Sequence, residues 1–355
     1  MERIESIPVW TAVGAAQIGR SHVLEGTVCQ DKTCILVRSG ILTAALADGA
    51  GSASLSHLGA AAVTRRICEL LCDRFDAFYD NPVGAEVKQE ILLRLHEVLW
   101  DCSQANECPI QDLASTLLAV AVRGARYLVL HIGDGVIGYV KNGRIRVASA
   151  PDNGEYANET TFVTCPNAFT ALRISKGESK DIEGFVLMSD GSEASLYSRS
   201  EKALAPVLAR LVYRLGITSA EYIQPSLEQS LKSPIARKTM DDCSLVLIAK
   251  HERSYRDLTR EELIDFFSLE EQDPQTWEAC IEKYVQVLDL LDAPCSAGVM
   301  AERFPDENID SFAEKWLDPL LDMGYVCRTD GDDYVRVVSS GIACEEMKRN
   351  EEEIL

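Results

Sequence analysis

The sequence predicts an α+β layered fold with mainly antiparallel sheets. Two observations carry this expectation: apolar β-type runs come in groups, and long amphipathic helical stretches come in a pair, where a doubly wound parallel sheet would alternate strand and helix one by one. A third is the turn chemistry. Asn142-Gly143 in "KNGR" and Ser39-Gly40 between "KTCILVR" and "ILTAALA" are hairpin signals, and the first marks a two-residue turn of primed type.

Taken in order, "KTCILVR" and "ILTAALA" read as a strand pair. "SHLGAAAVTRRICELLCDRFDAFY" and "GAEVKQEILLRLHEVLWDCSQAN" carry apolar residues three and four apart, which predicts two helices lying on a sheet. The stretch "STLLAVAVRGARYLVLHIGDGVIGYVKNGRIRVAS" reads as one antiparallel meander, and the polar residues 151–183 as a flap or surface excursion. "EGFVLMSDGSEASL" is a further strand ending in Asp-Gly; a helix near 201–215 and the strand in "MDDCSLVLIAK" complete this part. From residue 251 the character changes. Thr259 and Glu262 form a capping box, Asp273 reads as an N-cap with Pro274 at the first helical position, and a third helix is expected near 310–322. Two short β runs around Asp330-Gly331 follow, and three helices before a hairpin suggest a winged-helix-like module. The expected domains are therefore 1–250, an acidic module at 251–345 and a frayed tail at 346–355.

Composition narrows the function classes. The net charge is −21 over 355 residues. Residues 251–355 hold 10 Lys+Arg against 27 Asp+Glu, a net of −17, whereas residues 1–250 hold 25 against 29. So acidic a module lacks the basic face that phosphate backbones require, which argues against DNA binding and for docking of a protein partner. No apolar run is long enough to span a bilayer, and "MERIESIPVW" has no secretory character, so the expected location is cytoplasmic, away from membrane and nucleic acid. The 12 cysteines show neither C-x-x-C pairs nor zinc spacing, and read as reduced thiols; Cys68 and Cys72, four apart on a helix, read as core.

The chemistry-bearing feature is a set of Asp residues at strand mouths. Of four Asp-Gly pairs, those at Asp48 and Asp190 each follow an apolar strand, and Asp241 and Asp242 precede the last one. Carboxylates gathered on one sheet edge repel one another unless a cation intervenes, and oxygen ligands without His or Cys favour Mg²⁺ or Mn²⁺. Gly49 has no Cβ, which leaves its carbonyl free to join such a shell. His131, inside an apolar strand, reads as core.

The ordered motifs "CQD" at 29–31, "ADGAG" at 47–51, "STLLAVAV" at 115–122, "IGDG" at 132–135, "LMSDG" at 187–191 and "DDCSLVLI" at 241–248 resemble the protein phosphatase 2C family of metal-dependent Ser/Thr phosphatases, its bacterial branch in particular. The resemblance covers about residues 10–250. It implies a four-layer α-β-β-α sandwich and hydrolysis of phosphoserine or phosphothreonine by hydroxide bound to a pair of Mg²⁺ or Mn²⁺ ions. On this reading Asp48 bridges both metals, Gly49 gives a carbonyl, Asp190 and Asp241 complete the shell of one ion, and Asp31 acts through water. Asp48, Asp190 and Asp241 are then the catalytic set, with Asp134 and Ser115 in support. The sequence departs from the family at Gln30, at Ala50 and at Asp242, and the upstream phosphate-binding Arg has only Arg20 or His22 as counterparts. The implied partners are a phosphoprotein substrate, a Ser/Thr kinase or its targets. The alternative is a non-catalytic sensor or scaffold on the same fold, motivated by Gln30 and the missing Arg.

Overall fold

The computed structural model describes residues 9–151, 160–218, 220–251, 255–291, 295–304, 308–323, 325–328 and 333–336. The chain divides into two compact units, Met1–Leu215 with Gln224–Lys250, and Gly216–Ile223 with His251–Leu355. The division after Lys250 falls where the sequence changes character. The short piece 216–223 goes with the second unit: Ile217 packs on that unit's core, and the Gly216 carbonyl lies 2.5 Å from His251 Nδ1.

The first unit opens with β1 (Val9–Gln17), α1 (Arg20–Glu25), β2 (Lys32–Arg38) and β3 (Ile41–Ala47), then α2 (Ser56–Asp80) and α3 (Gly84–Ala105). Next come β4 (Leu117–Arg123), β5 (Arg126–Ile132), β6 (Val136–Lys141), β7 (Arg144–Ser149), α4 (Ala168–Ala171) and β8 (Arg173–Glu178). It ends with β9 (Gly184–Met188), α5 (Asp190–Leu196), β10 (Tyr197–Ser198), β11 (Ala203–Leu204), α6 (Val207–Ile217), α7 (Ala220–Ser230) and β12 (Cys243–His251). Two five-stranded sheets form, in the orders β1-β12-β9-β6-β7 and β2-β3-β4-β5-β8.

Strand alternation builds the layers. Along β3, Leu42, Ala44 and Leu46 face the other sheet and meet Phe185, Leu187, Val246 and Ile248, whereas Ile41, Ala45 and Ala47 turn to α2 and α3. On the outer face of the first sheet, Val212 of α6 sits against Gly184, where a Cβ would lie 2.4 Å from it. Gln224 of α7 donates to the Gly14 carbonyl of β1 at 3.0 Å. The result is helices, sheet, sheet, helices.

Both expected hairpin turns form with left-handed backbone at each central residue, Ser39 and Gly40 at φ 53° and 73°, Asn142 and Gly143 at 53° and 66°. Two expectations are corrected. The stretch 115–149 is not one meander: β4–β5 and β6–β7 lie in different sheets, and the chain crosses between them at 133–135. Gly133 makes that crossing at φ 112°, where a Cβ would fall 2.5 Å from Thr116. The stretch 151–183 also contains a strand, β8, which completes the second sheet by pairing with β5. Its residues Arg173–Glu178 are half-exposed and polar, as an edge strand tolerates, so no apolar run announced it.

The second unit contains α8 (Arg260–Phe266), α9 (Trp277–Leu290), α10 (Ala297–Ala301), α11 (Ile309–Phe312), α12 (Asp318–Asp322), β13 (Val326–Arg328) and β14 (Tyr334–Arg336). Its core is aromatic. Phe266 stacks on Tyr325 with centroids 4.0 Å apart, and the Tyr325 hydroxyl donates to the Phe266 carbonyl at 2.7 Å. Helix α9 begins at Trp277, not after Asp273: the Asp273 carboxylate accepts from Gln275 N–H at 3.0 Å and closes a separate turn before the helix. β13 and β14 pair antiparallel, while the Asp330-Gly331 tip and the tail at 346–355 lie outside the described residues. Among the described residues, no helix is long and apolar enough to cross a membrane.

Candidate metal centre

Sheet register brings the acids together. Lys32 is opposite Ala47, so Asp31, one residue before β2, faces Asp48, one residue after β3. In the other sheet Met188 is opposite both Leu245 and Val136, which places Ser189 beside Ser244 and sets Asp134, Asp190 and Asp241 at one edge. Asp48 is clamped to the start of β4 from both sides: its N–H donates to Thr116 Oγ1 at 2.9 Å, and its carbonyl accepts from Thr116 N–H at 2.8 Å. The next bond along, Ala50 N–H to the Ala114 carbonyl, leaves Gly49 as the non-bonded residue opposite Ser115, so its carbonyl turns away from β4.

Asp190 opens α5 behind the N-cap Ser189, and the Ser189 hydroxyl accepts from Ser244 N–H at 2.9 Å, tying the mouth of β9 to that of β12. Asp134 is held by the Thr160 hydroxyl. The Asp241-Asp242 peptide is threaded between two glycines. A Cβ on Gly19 would lie 2.3 Å from the Asp241 carbonyl carbon, and one on Gly191 would lie 1.8 Å from the Asp242 oxygen.

The carboxyls are electrostatically strained. Asp31 is 1% exposed, neither of its carboxylate oxygens has a hydrogen-bond partner, and one oxygen of Asp190 is likewise buried and unpaired. Burial pushes Asp31 up to about 7, and the Asp242 charge adds to the rise. Burial raises Asp48 well above the usual carboxylate range, helped by the charges of Asp31, Asp190 and Asp241. Burial and the charge of Asp134 bring Asp190 to about 6. Among the described residues no three acids, histidines or cysteines are closed into a ready-made chelate. The arrangement is one of mutually repelling, partly protonated carboxyls with orphaned oxygens, and an oxygen-loving divalent cation is what would relieve it.

Asp242 has a different task. At 1% exposure, its Oδ1 accepts from Gly19 N–H at 2.6 Å and His22 Nδ1–H at 2.8 Å, and its Oδ2 from Gln30 N–H at 2.5 Å. His22 therefore spends one ring nitrogen on Asp242. Burial works against its charge, but the Asp242 hydrogen bond and the charges of Asp242, Asp241 and Glu25 outweigh burial and raise its pKa. Arg20 is exposed, and its Nε and Nη2 donate to the Thr239 carbonyl at 3.1 and 3.0 Å. Ala50 is buried beside Ala53 and Ala114.

Several supporting residues escaped the sequence reading: Gly19, Gly191, Thr116, Ser189, Ser244 and the Glu193–Arg199 pair. Arg199 donates Nε and Nη2 side-on to the buried Glu193 at 2.6 and 2.5 Å, one turn beyond Asp190, and its charge is strengthened by Glu193 first and then by Asp190 and Asp134. The small residues flanking each acid were the available signal, since they mark where backbones pass closely.

Residues 18–232 match the family model for Protein phosphatase 2C. The chain is similar to serine/threonine-protein phosphatase 3 of Escherichia coli (strain K12), with 24% identity over 251 residues that cover 68% of this chain and 98% of that protein. Solved structures similar to it include the S. agalactiae serine/threonine phosphatase, at 16% identity and TM-score 0.48, covering 68% of this chain and 99% of that one. Another is the catalytic domain of the serine/threonine phosphatase PstP in complex with two manganese ions, at 16% identity and TM-score 0.45, covering 69% and 100%. The matched segment spans more than half of the sequence, and the chain belongs to the protein phosphatase 2C family.

Proposed function

We propose that this protein hydrolyses phosphoserine or phosphothreonine in proteins with the help of two Mg²⁺ or Mn²⁺ ions. Asp48, the Gly49 carbonyl, Asp190 and Asp241 would hold the ions, and Asp31 would act through water. The observation that supports this most is the convergence of Asp31, Asp48 and Asp190, with both oxygens of Asp31 and one of Asp190 buried without partners and burial holding the Asp48 carboxyl well above the usual range. When bound, the ions supply a water of lowered pKa and positive charge against the phosphoryl oxygens.

The chain's own residues supply placement. The Thr116 clamp fixes Asp48, and the Ser189–Ser244 bond fixes the spacing of Asp190 from Asp241. In the metal-free fold burial holds the Asp31 carboxyl up at about 7, and the charge of bound cations would bring it down. Ala50 has no proton to give, so the leaving oxygen takes its proton from solvent or another group. We keep Arg20 as the candidate phosphate contact and treat His22 as the brace of Asp242. The scaffold reading is not favoured: Gln30 meets Asp242 through its backbone N–H, so an amide side chain there does not disturb the brace.

We place the protein in the cytoplasm, a reading supported by ten free thiols among the described residues. The acidic module is read as a dock for a protein partner, supported by its charge of −17. Purified protein should release p-nitrophenol from p-nitrophenyl phosphate with Mn²⁺, and Asp48→Asn or Asp190→Asn should cost about 10²-fold or more. Unchanged turnover in both variants removes the metal assignment.

A further inference from the structure

The edge of the metal centre beside Asp241 is basic, in a chain of net charge −21. Between Glu228 and Asp241 the sequence carries Lys232, Arg237 and Lys238 and no acid. Arg237 and Lys238 are exposed, and among the described residues neither they nor Arg20 forms an ion pair. The segment is built into the site. Arg20 donates twice to the Thr239 carbonyl, and Ser21 donates from N–H and Oγ to the Met240 carbonyl at 3.0 and 2.6 Å. The turn Leu231–Ile235 packs against α5, the helix that Asp190 opens. Arg20 is thus held on the Thr239 carbonyl, and the exposed Arg237 and Lys238 directly precede Thr239 in the chain, two residues from Asp241. Like charges held together cost free energy in the unbound protein, and an anion lying across them removes that cost.

We propose that this lip selects phosphoprotein segments carrying further anionic groups, carboxylate or phosphate, within a few residues of the phosphorylated side chain. The proposal rests on the phosphatase reading and adds the substrate class to it. Nucleic acid and anionic membrane are disfavoured by the chain's overall charge.

The test compares kcat/KM on matched phosphoserine peptides whose neighbours are Ala, Glu, a second phosphoserine or Lys. Wild-type protein should rank Glu and phosphoserine flanks above Ala and Ala above Lys, with about 3–10-fold between Glu and Ala at low salt. The ranking should flatten in 0.5 M NaCl as screening shortens its reach. If only the second phosphate helps, the contact is to phosphate; if Glu serves equally, charge alone is read. Arg237→Glu with Lys238→Glu should invert the ranking while p-nitrophenyl phosphate turnover stays within about 2-fold, because that substrate has no flanks to contact the lip. The neutral pair Arg237→Gln with Lys238→Gln should abolish the ranking, and serves if the reversed pair folds poorly. A ranking that survives both pairs overturns the proposal, as does charge-dependent retention of duplex DNA or anionic vesicles without any peptide preference. If no substrate is hydrolysed at all, the phosphatase reading has failed; the lip is then judged by fluorescence anisotropy of labelled peptides, where equal affinity for Glu and Lys flanks overturns it.

Discussion

Asp242→Asn isolates the brace that shapes the centre from the acids that would hold metal. Three donors converge on this carboxylate, Gly19 N–H and His22 Nδ1–H on Oδ1 and Gln30 N–H on Oδ2. An amide keeps one acceptor oxygen. If that oxygen serves Gly19 and His22, the amide nitrogen meets Gln30 N–H donor to donor in a site 1% exposed. One charge-assisted bond is lost and one donor is left unsatisfied, a cost of about 2–4 kcal/mol after weaker repulsion of Asp31 returns a part. For a domain of this size that corresponds to a drop in Tm of about 4–16 °C. Asp242→Ala orphans all three donors and should cost about 3–5 kcal/mol. Scanning calorimetry reads both. An NMR titration of His22 supplies an independent signal, because loss of the Asp242 partner lets its pKa fall. An Asp242→Asn protein that melts within 1 °C of wild type, with His22 titrating unchanged, refutes the brace.

The same geometry sets other expectations. Asp31 and Asp190 titrate at about 7 and about 6 in the metal-free fold, above the ordinary carboxylate value near 4, so the folded state holds more protons than the unfolded chain in that window. Stability of the metal-free protein should therefore fall as pH rises from about 4 to about 7, and Asp31→Asn should flatten the fall; urea midpoints measured in EDTA across that range check the sign. Mn²⁺ should bind more tightly as pH rises through the same window, with protons released in calorimetry in buffers of differing ionisation enthalpy. Gly191→Ala must displace the Asp242 carbonyl, so it should cost about 1–3 kcal/mol and lower turnover more than Tm alone accounts for. Thr116→Val, nearly isosteric, removes the acceptor for Asp48 N–H and should cost about 1–3 kcal/mol; a variant with wild-type Tm and wild-type Mn²⁺ affinity would show that Asp48 does not need the clamp.

Local chemistry determined a good deal of this protein by itself. Period-two and period-3.6 apolar patterns named the strands and the paired helices, Asn142-Gly143 forced its turn, and Asp48, Asp190 and Asp241 stood out because an acid at the end of a buried strand contradicts its surroundings. Those signals are legible because burial and backbone conformation act on neighbouring residues. Tertiary structure decided the rest. Nothing between Ile132 and Val136 announced that the chain changes sheets there, and β8 carried no apolar signature because an edge strand needs little burial. Whether Asp242 holds metal or backbone depended on Gly19, His22 and Gln30, which lie more than 200 residues away in sequence and meet it because β12 is placed beside β1 in one sheet and the mouth of β2 in the other sheet lies against it. Hydrogen-bond partners and shared electrostatic fields are properties of distance in space, and register between strands, not residue type, set those distances here.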